Sequence, residues 1–238
     1  MTTRPSLTFR RTSSLAGALI FFSSAVAVAA TPDAIHRGPP LVGVARVIDG
    51  DTLDISGQRV RLEGIDAPEI AQTCETASGQ SWPCGRSSVS ALKRLIGQKQ
   101  ISCKQRGQDK YRRVLAVCFT DGRNINEAMV RDGFAWAFVK YSSEFAQAES
   151  DARAKKNGVW QGRAIAPWEY RSNEWQVAET AAPSGCAIKG NISGSGHIYH
   201  VPWGPWYDKV RIDPGQGERW FCSEADAMEA GWRPVASQ

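Results

Sequence analysis

The sequence predicts a mainly β fold with helices (α+β), a small barrel with helices packed at one side. Three observations predict it. Alternating apolar segments over 41–65 are punctuated by turn dipeptides. A helical period replaces the alternation at 84–97. Two further alternating segments at 99–120 then flank a polar turn. With 42% hydrophobic and 22% charged residues, the 238-residue chain has the composition of a folded protein, which excludes wholesale disorder.

Each element follows from local chemistry. Leu41–Ile48 is apolar and β-branched and reads as a strand. Asp49-Gly50 is a hairpin turn signal. Thr52–Ile55 and Arg59–Ile65 alternate on either side of Ser56-Gly57, so that Val60 and Leu62 share one face and Arg61 and Glu63 the other. Pro68 ends the strand because it cannot donate to a ladder. From Cys84 to Gly97, the residues Val89, Leu92, Leu95 and Ile96 line one helical face, and Gly97 is the expected C-terminal cap. Lys99–Arg106 and Arg112–Thr120 form a hairpin around 107–111, and Asn124–Arg131 and Ser143–Lys156 read as helices. This order suits a five-stranded Greek-key barrel of the OB type, placed at 41–170. Residues 171–185, with Ala, Ser, Glu and Pro183, read as a linker. A small module over 186–238 opens at Cys186 and holds four of the nine tryptophans. Within it, Ser223 to Asp226 form a capping box that opens a short helix ending at Gly231.

The N-terminus bears on compartment. Arg4, Arg10 and Arg11 precede a short apolar stretch that ends in Ala27-Val28-Ala29. A basic start, an apolar middle and a small-x-small ending read as a secretory signal peptide over 1–29, followed by a leader at 30–40 rich in Pro and Gly. The alternative is an uncleaved membrane anchor. Cleavage is the expectation, because the Ala- and Ser-rich stretch is short and only weakly apolar. It places the protein outside the cytosol, secreted or periplasmic, without stable membrane association. Removing the signal peptide, with its three arginines and no acid, lowers the formal charge from +5 to +2. What remains of the positive charge is uneven: residues 41–170 carry +4 and residues 171–238 carry −2. Net charge is therefore a weak argument for a polyanionic partner, and the placement of charges a better one.

Three clusters could carry chemistry: Val47 to Thr52, Arg61 to Glu69, and Asp109 to Arg113. The carboxylates Asp49, Asp51, Asp66 and Glu69 lie at strand ends and turns. Hard oxygen ligands without neighbouring Cys or His favour Ca²⁺ or Mg²⁺ over zinc. Arg61 and Arg113 are planar, permanently charged donors suited to a phosphodiester. The only histidines are His36, His197 and His200, so residues 37–196 carry none, which argues against a histidine-based mechanism in the barrel and for a carboxylate base there. Together these features suggest phosphodiester hydrolysis.

The motifs Ile48-Asp49-Gly50-Asp51-Thr52, Arg61…Asp66-x-Pro68-Glu69 and Asp109-Lys110-Tyr111-x-Arg113 occur together and in order. In them the segment 41–160 resembles the thermonuclease (staphylococcal nuclease-like) family. The resemblance implies an OB-fold barrel and a nuclease acting on DNA and RNA. It implies a Ca²⁺ ion held by Asp51, Asp66 and the main-chain carbonyl of Ala67, with Asp49 and Thr52 behind them. Glu69 would be the general base, and Arg61 and Arg113 would clamp the phosphate. Lys110 and Tyr111 would contact the nucleotide. Two departures stand out. Arg112 replaces a glycine, and the base-stacking position is Val139, with Tyr141 two residues on as the candidate ring. A non-catalytic OB module binding nucleic acid or an anionic polysaccharide is the rival reading; the intact trio Arg61, Glu69 and Arg113 favours the enzyme.

Six cysteines suit three bridges in an oxidising compartment. Cys103 and Cys118 are equidistant from the centre of the hairpin and should face one another. Cys74 and Cys84 bracket the loop after Glu69, and Cys186 and Cys222 bracket the C-terminal module. The last pair, with His197 and His200, also admits a zinc site, although the spacing is not that of a standard finger. The module resembles one appended to some bacterial members of the same family. Its Trp203, Trp206, Tyr207, Trp220 and Trp232 either build a minimal core or present a stacking surface for an unidentified polymer.

Overall fold

A computed structural model describes residues 1–2 and 38–235. The expected signal peptide, apart from residues 1–2, and most of the leader lie outside the described residues.

Five strands form the barrel: β1 (Leu41–Asp49), β2 (Thr52–Ile55), β3 (Gln58–Leu62), β4 (Gln100–Gln108) and β5 (Val114–Thr120). Their order is β3-β2-β1-β4-β5, and the barrel closes where β5 runs parallel to β3, with Val60 beside Val114 and Leu62 beside Ala116. This is the closed OB-fold barrel expected from the alternation. Leu53, Val60, Leu62, Ile65 and Ile101 fill the interior. Helix α1 (Cys84–Ile96) lays Leu92 and Ile96 onto them, and α2 (Ile125–Arg131) adds Ile125 and Met129. The Asn124 side chain caps α2 by accepting from the Glu127 N–H. Helix α3 (Ala146–Ala154) is shorter than its expected span, since Phe145 sits at its N-cap and turns into the core.

The hairpin register places Cys103 directly opposite Cys118, and the two form a disulfide with a Cα separation of 4.0 Å. Cys74 and Cys84 form the second bridge, tying the loop after Glu69 to the start of α1. Cys186 and Cys222 form the third. The two histidines near that pair are used elsewhere: His197 packs on Trp232 and His200 bonds to Asn191.

The stretch read as a linker is a difference. Helix α4 (Pro167–Ala181) crosses the expected boundary at residue 170 and occupies most of 171–185. Pro167 at its first turn starts the helix at no hydrogen-bond cost. Beyond it, β6 (Ile188–Ser193), β7 (Gly196–His200), β8 (Arg219–Phe221), α5 (Glu224–Glu229) and β9 (Arg233–Pro234) make a small sheet and helix. The sheet order is β8-β6-β7-β9. Its core is Ile188, Tyr199, Phe221, Ala227 and Trp232. Trp232 and Tyr207 are therefore core residues, while Trp206 is the most exposed of the module's large rings. Ser223 caps α5 as its sequence predicts, accepting from the Asp226 N–H at 3.1 Å.

Candidate active site

The β1–β2 turn, the end of β3 and the segment after it meet at one end of the barrel. A register shift between Val47 and Asp49 brings Asp49 opposite Thr52, and Thr52 in turn pairs with Arg61. A two-residue ladder sets Asp66 beside Trp136. The consequence is a buried floor: Asp66 is fully inaccessible and Asp51 nearly so. Arg61 lies between them, forming ion pairs with Asp51 and, at 2.8 Å, with Asp66. Asp51 also accepts the Ala67 N–H at 2.8 Å and the Thr52 hydroxyl at 3.1 Å.

Two close approaches make this floor possible. A Cβ on Gly50 would fall 2.4 Å from the Ser88 hydroxyl oxygen and 2.7 Å from the Ala67 Cβ. A Cβ on Gly85 would fall 1.7 Å from the Glu69 carbonyl oxygen. The start of α1 can dock against the Glu69 segment only because it carries glycine there. Gln72 completes the loop: its side-chain oxygen accepts from the Glu69 N–H at 3.2 Å, and its amide donates to the Ile165 carbonyl at 2.9 Å.

Crowding of carboxylates in a buried place favours their neutral forms. Burial, then the Asp49 charge, push Glu69 up to about 8 against the opposing pull of Arg171. Burial raises Asp49 to about 6, opposed by the Gly50 N–H and Arg61. Burial also lowers the Arg61 guanidinium, while Asp66 holds it charged.

Arg113 belongs to a separate, self-contained turn. Asp109 accepts the backbone N–H groups of Tyr111 and Arg113 at 2.9 Å each, and its other oxygen takes the Arg113 Nε at 2.7 Å. Arg112 adopts φ +62°, the left-handed conformation that glycine enters freely. That accounts for a glycine at this place in the motif it departs from. The Lys110 ammonium and the Arg113 guanidinium lie 4.9 and 5.3 Å from the Tyr111 ring centre. The pairing of β5 with β3 sets Val114 beside Val60 and Leu115 beside Arg61, which brings the turn close to the floor. Tyr141 is well exposed and meets Phe138 edge-on at 4.9 Å.

A Haemophilus influenzae protein described as an uncharacterized endonuclease is 33% identical over 163 residues, 65% of this chain and 86% of that protein. The chain belongs to the staphylococcal nuclease family. The family model, described as staphylococcal nuclease homologue, matches residues 59–162. The micrococcal nuclease of Shigella flexneri is 32% identical over 146 residues, 54% of this chain and 78% of its own. The succinoglycan biosynthesis protein ExoI of Rhizobium meliloti is 35% identical over 130 residues, 52% of this chain and 66% of its own.

Three residues near this floor carry no motif in the sequence, and all lie beyond the matched span. Arg171 on α4 reaches Asp66 at 2.7 and 3.1 Å and Glu69 at 2.7 Å. Trp168, one turn earlier, stacks on Phe138 with centroids 5.4 Å apart. Glu224, at the start of α5, bonds the Tyr199 hydroxyl at 2.9 Å and bears on Tyr111, where burial and then this carboxylate raise the phenol. A sequence signal for the first two exists. Trp168, Arg171, Trp175 and Ala178 recur at three- and four-residue steps, the spacing of one helical face.

Proposed function

We propose that the protein is an exported, Ca²⁺-dependent nuclease that hydrolyses phosphodiester bonds in DNA and RNA. The observation that carries this reading is the meeting of Asp49, Asp51, Asp66 and Glu69 with Arg61 on one floor, with the Arg113 turn close by. The family membership and the nuclease names among its relatives support it.

The donor set fits a hard cation. Its ligating atoms are carboxylate oxygens, with no His or Cys among them. Among the described residues no three acidic, His or Cys side chains form a ready cage. Guanidinium groups from Arg61 and Arg171 stand between the carboxylates, which shows how strongly this place selects positive charge. Asp51, Asp66 and the Ala67 carbonyl would hold Ca²⁺. When bound, it would supply Lewis-acid stabilisation of a phosphoryl oxygen.

The chain's own groups do the rest. Glu69 accepts a proton from the attacking water, as a carboxylate base must in a barrel without histidine. Arg61 and Arg113 hold the phosphate and stabilise charge that builds on its oxygens; loss of one such donor costs about 10²–10³ in rate. Lys110 and Tyr111 contact the substrate beside Arg113, and Tyr141 offers an exposed ring for a base. The three disulfides fit a secreted or periplasmic address. Release of acid-soluble nucleotides from single-stranded DNA and from RNA, with Ca²⁺ and with chelator, tests the reading. Activity that survives chelation, or survives Glu69→Gln, overturns it. Binding without any cleavage favours the non-catalytic module.

A further inference from the structure

We infer that Arg171 is a positioning residue of this site, an internal cation that competes with the divalent metal for Asp66 and holds Glu69 until the metal arrives. The inference rests on the function proposed above and adds a residue from outside the span that matches the family.

The contact is built, not incidental. Arg171 takes both oxygens of the fully buried Asp66 in a fork and shares Nη1 with Glu69. Planar, bidentate pairing is the strong geometry for a guanidinium and a carboxylate. Both acids favour the charged form of Arg171, and together they outweigh its burial. The helix that carries it is fixed on two sides. Trp168 stacks on Phe138, and the Ile165 carbonyl, just before the helix, is bonded by Gln72 from the Glu69 loop. On the far side Trp175 packs into the cores of the C-terminal module, 6.4 Å from the Trp203 ring. The guanidinium is thus delivered by a braced helix to the carboxylates proposed for metal binding and base catalysis.

The consequence is exclusion. Arg61 already occupies one side of Asp66, leaving no oxygen of this acid without a guanidinium. A divalent ion at Asp66 needs an oxygen that Arg171 now holds. Its charge also repels a guanidinium at contact distance. Binding the ion therefore requires Arg171 to leave, and the same movement frees Glu69 to accept a proton. One residue couples metal loading to release of the base.

The test uses the full-length protein, without nucleic acid. Ca²⁺ is titrated calorimetrically into wild type, Arg171→Gln and Arg171→Lys, and melting temperatures are taken with chelator and with saturating Ca²⁺. Removing the competitor should tighten Ca²⁺ binding by about tenfold, within the usual range for coupled sites. Arg171→Lys keeps the charge without the fork and should fall between the two. In chelator Arg171→Gln should melt below wild type, and saturating Ca²⁺ should close that gap. Equal Ca²⁺ affinities for the three proteins, or a melting deficit that Ca²⁺ leaves unchanged, overturn the inference and leave the nuclease reading standing. Failure of all three to bind Ca²⁺, together with cleavage that persists in chelator in the separate nucleotide-release assay, overturns the metal assignment and this inference together.

Discussion

The two arginines expected to clamp phosphate sit in opposite kinds of surroundings. Arg61 is interlocked with a floor that comes from distant parts of the chain: Asp51, Asp66 and, one contact further, Arg171. Its side chain is 14% exposed. Arg113 is held within five residues by Asp109, and its side chain is 30% exposed. The difference teaches that equal roles toward a ligand do not mean equal roles in the fold. Arg61 neutralises a buried cluster whether or not a substrate is present. Arg113 costs the fold little to hold and has room to turn toward one.

Substitutions can break or sharpen this contrast. The largest expected effect is Arg61→Ala. It should lose nuclease activity and also about 3–5 kcal/mol of stability, because the carboxylates it bridges are left buried with one partner fewer. Urea denaturation measures the loss, and an unchanged midpoint would erase the contrast. Arg113→Ala should lower the rate by about 10²–10³. Its local, partly buried pair with Asp109 should cost about 1 kcal/mol of stability, less than the interlocked Arg61 cluster. Equal destabilisation by the two alanines would mean that both arginines serve the fold alike.

The backbone gives a smaller version of the same comparison. Gly85→Ala drives a methyl into the Glu69 carbonyl and should destabilise by about 1–3 kcal/mol, with a larger fall in kcat than in stability as the floor shifts. Unaltered kinetics would show that the Glu69 loop tolerates the movement. Arg112→Gly should do least. It relieves a left-handed residue worth about 1 kcal/mol, a gain partly offset by glycine's greater unfolded freedom. Thermal melting of the pair should show a rise of a few degrees at most, and a clear loss would show that Arg112 makes a contact the turn relies on.

The barrel was readable because its signals are local. Alternation placed Val60 and Leu62 inward, turn dipeptides fixed the hairpins, and residue arithmetic alone paired Cys103 with Cys118. The motif residues were readable for the same reason, each lying in a short run around a turn. Arg171 was not readable in that way. Its partners Asp66 and Glu69 lie about a hundred residues away, and the apolar face of the helix that brings it, Trp168, Trp175 and Ala178, is short and interrupted by Arg171 itself. With Ala, Ser, Glu and Pro183 nearby, the segment has a linker's composition, and tertiary packing of Trp168 and Trp175 outweighs that composition. Glu224 reads as the first residue of the helix that Ser223 caps, which it is; that its charge also reaches Tyr111 depends on where the module sits.

The Cys74–Cys84 bridge gives this site a chronology. It fastens the loop that follows Glu69 to the first residue of α1, immediately before the glycine on which that loop rests. A newly made chain with both thiols intact lacks that fastening, so the proposed water-activating residue is tethered only by the hydrogen bonds around Gln72. Oxidation of this pair is then expected to complete the site after the barrel strands have paired. Refolding from the reduced chain should show this as a delay: barrel secondary structure, followed by circular dichroism, returns first, and cleavage follows at the pace of disulfide formation. Cleavage that recovers in step with the barrel under reducing conditions would show that the hydrogen bonds suffice.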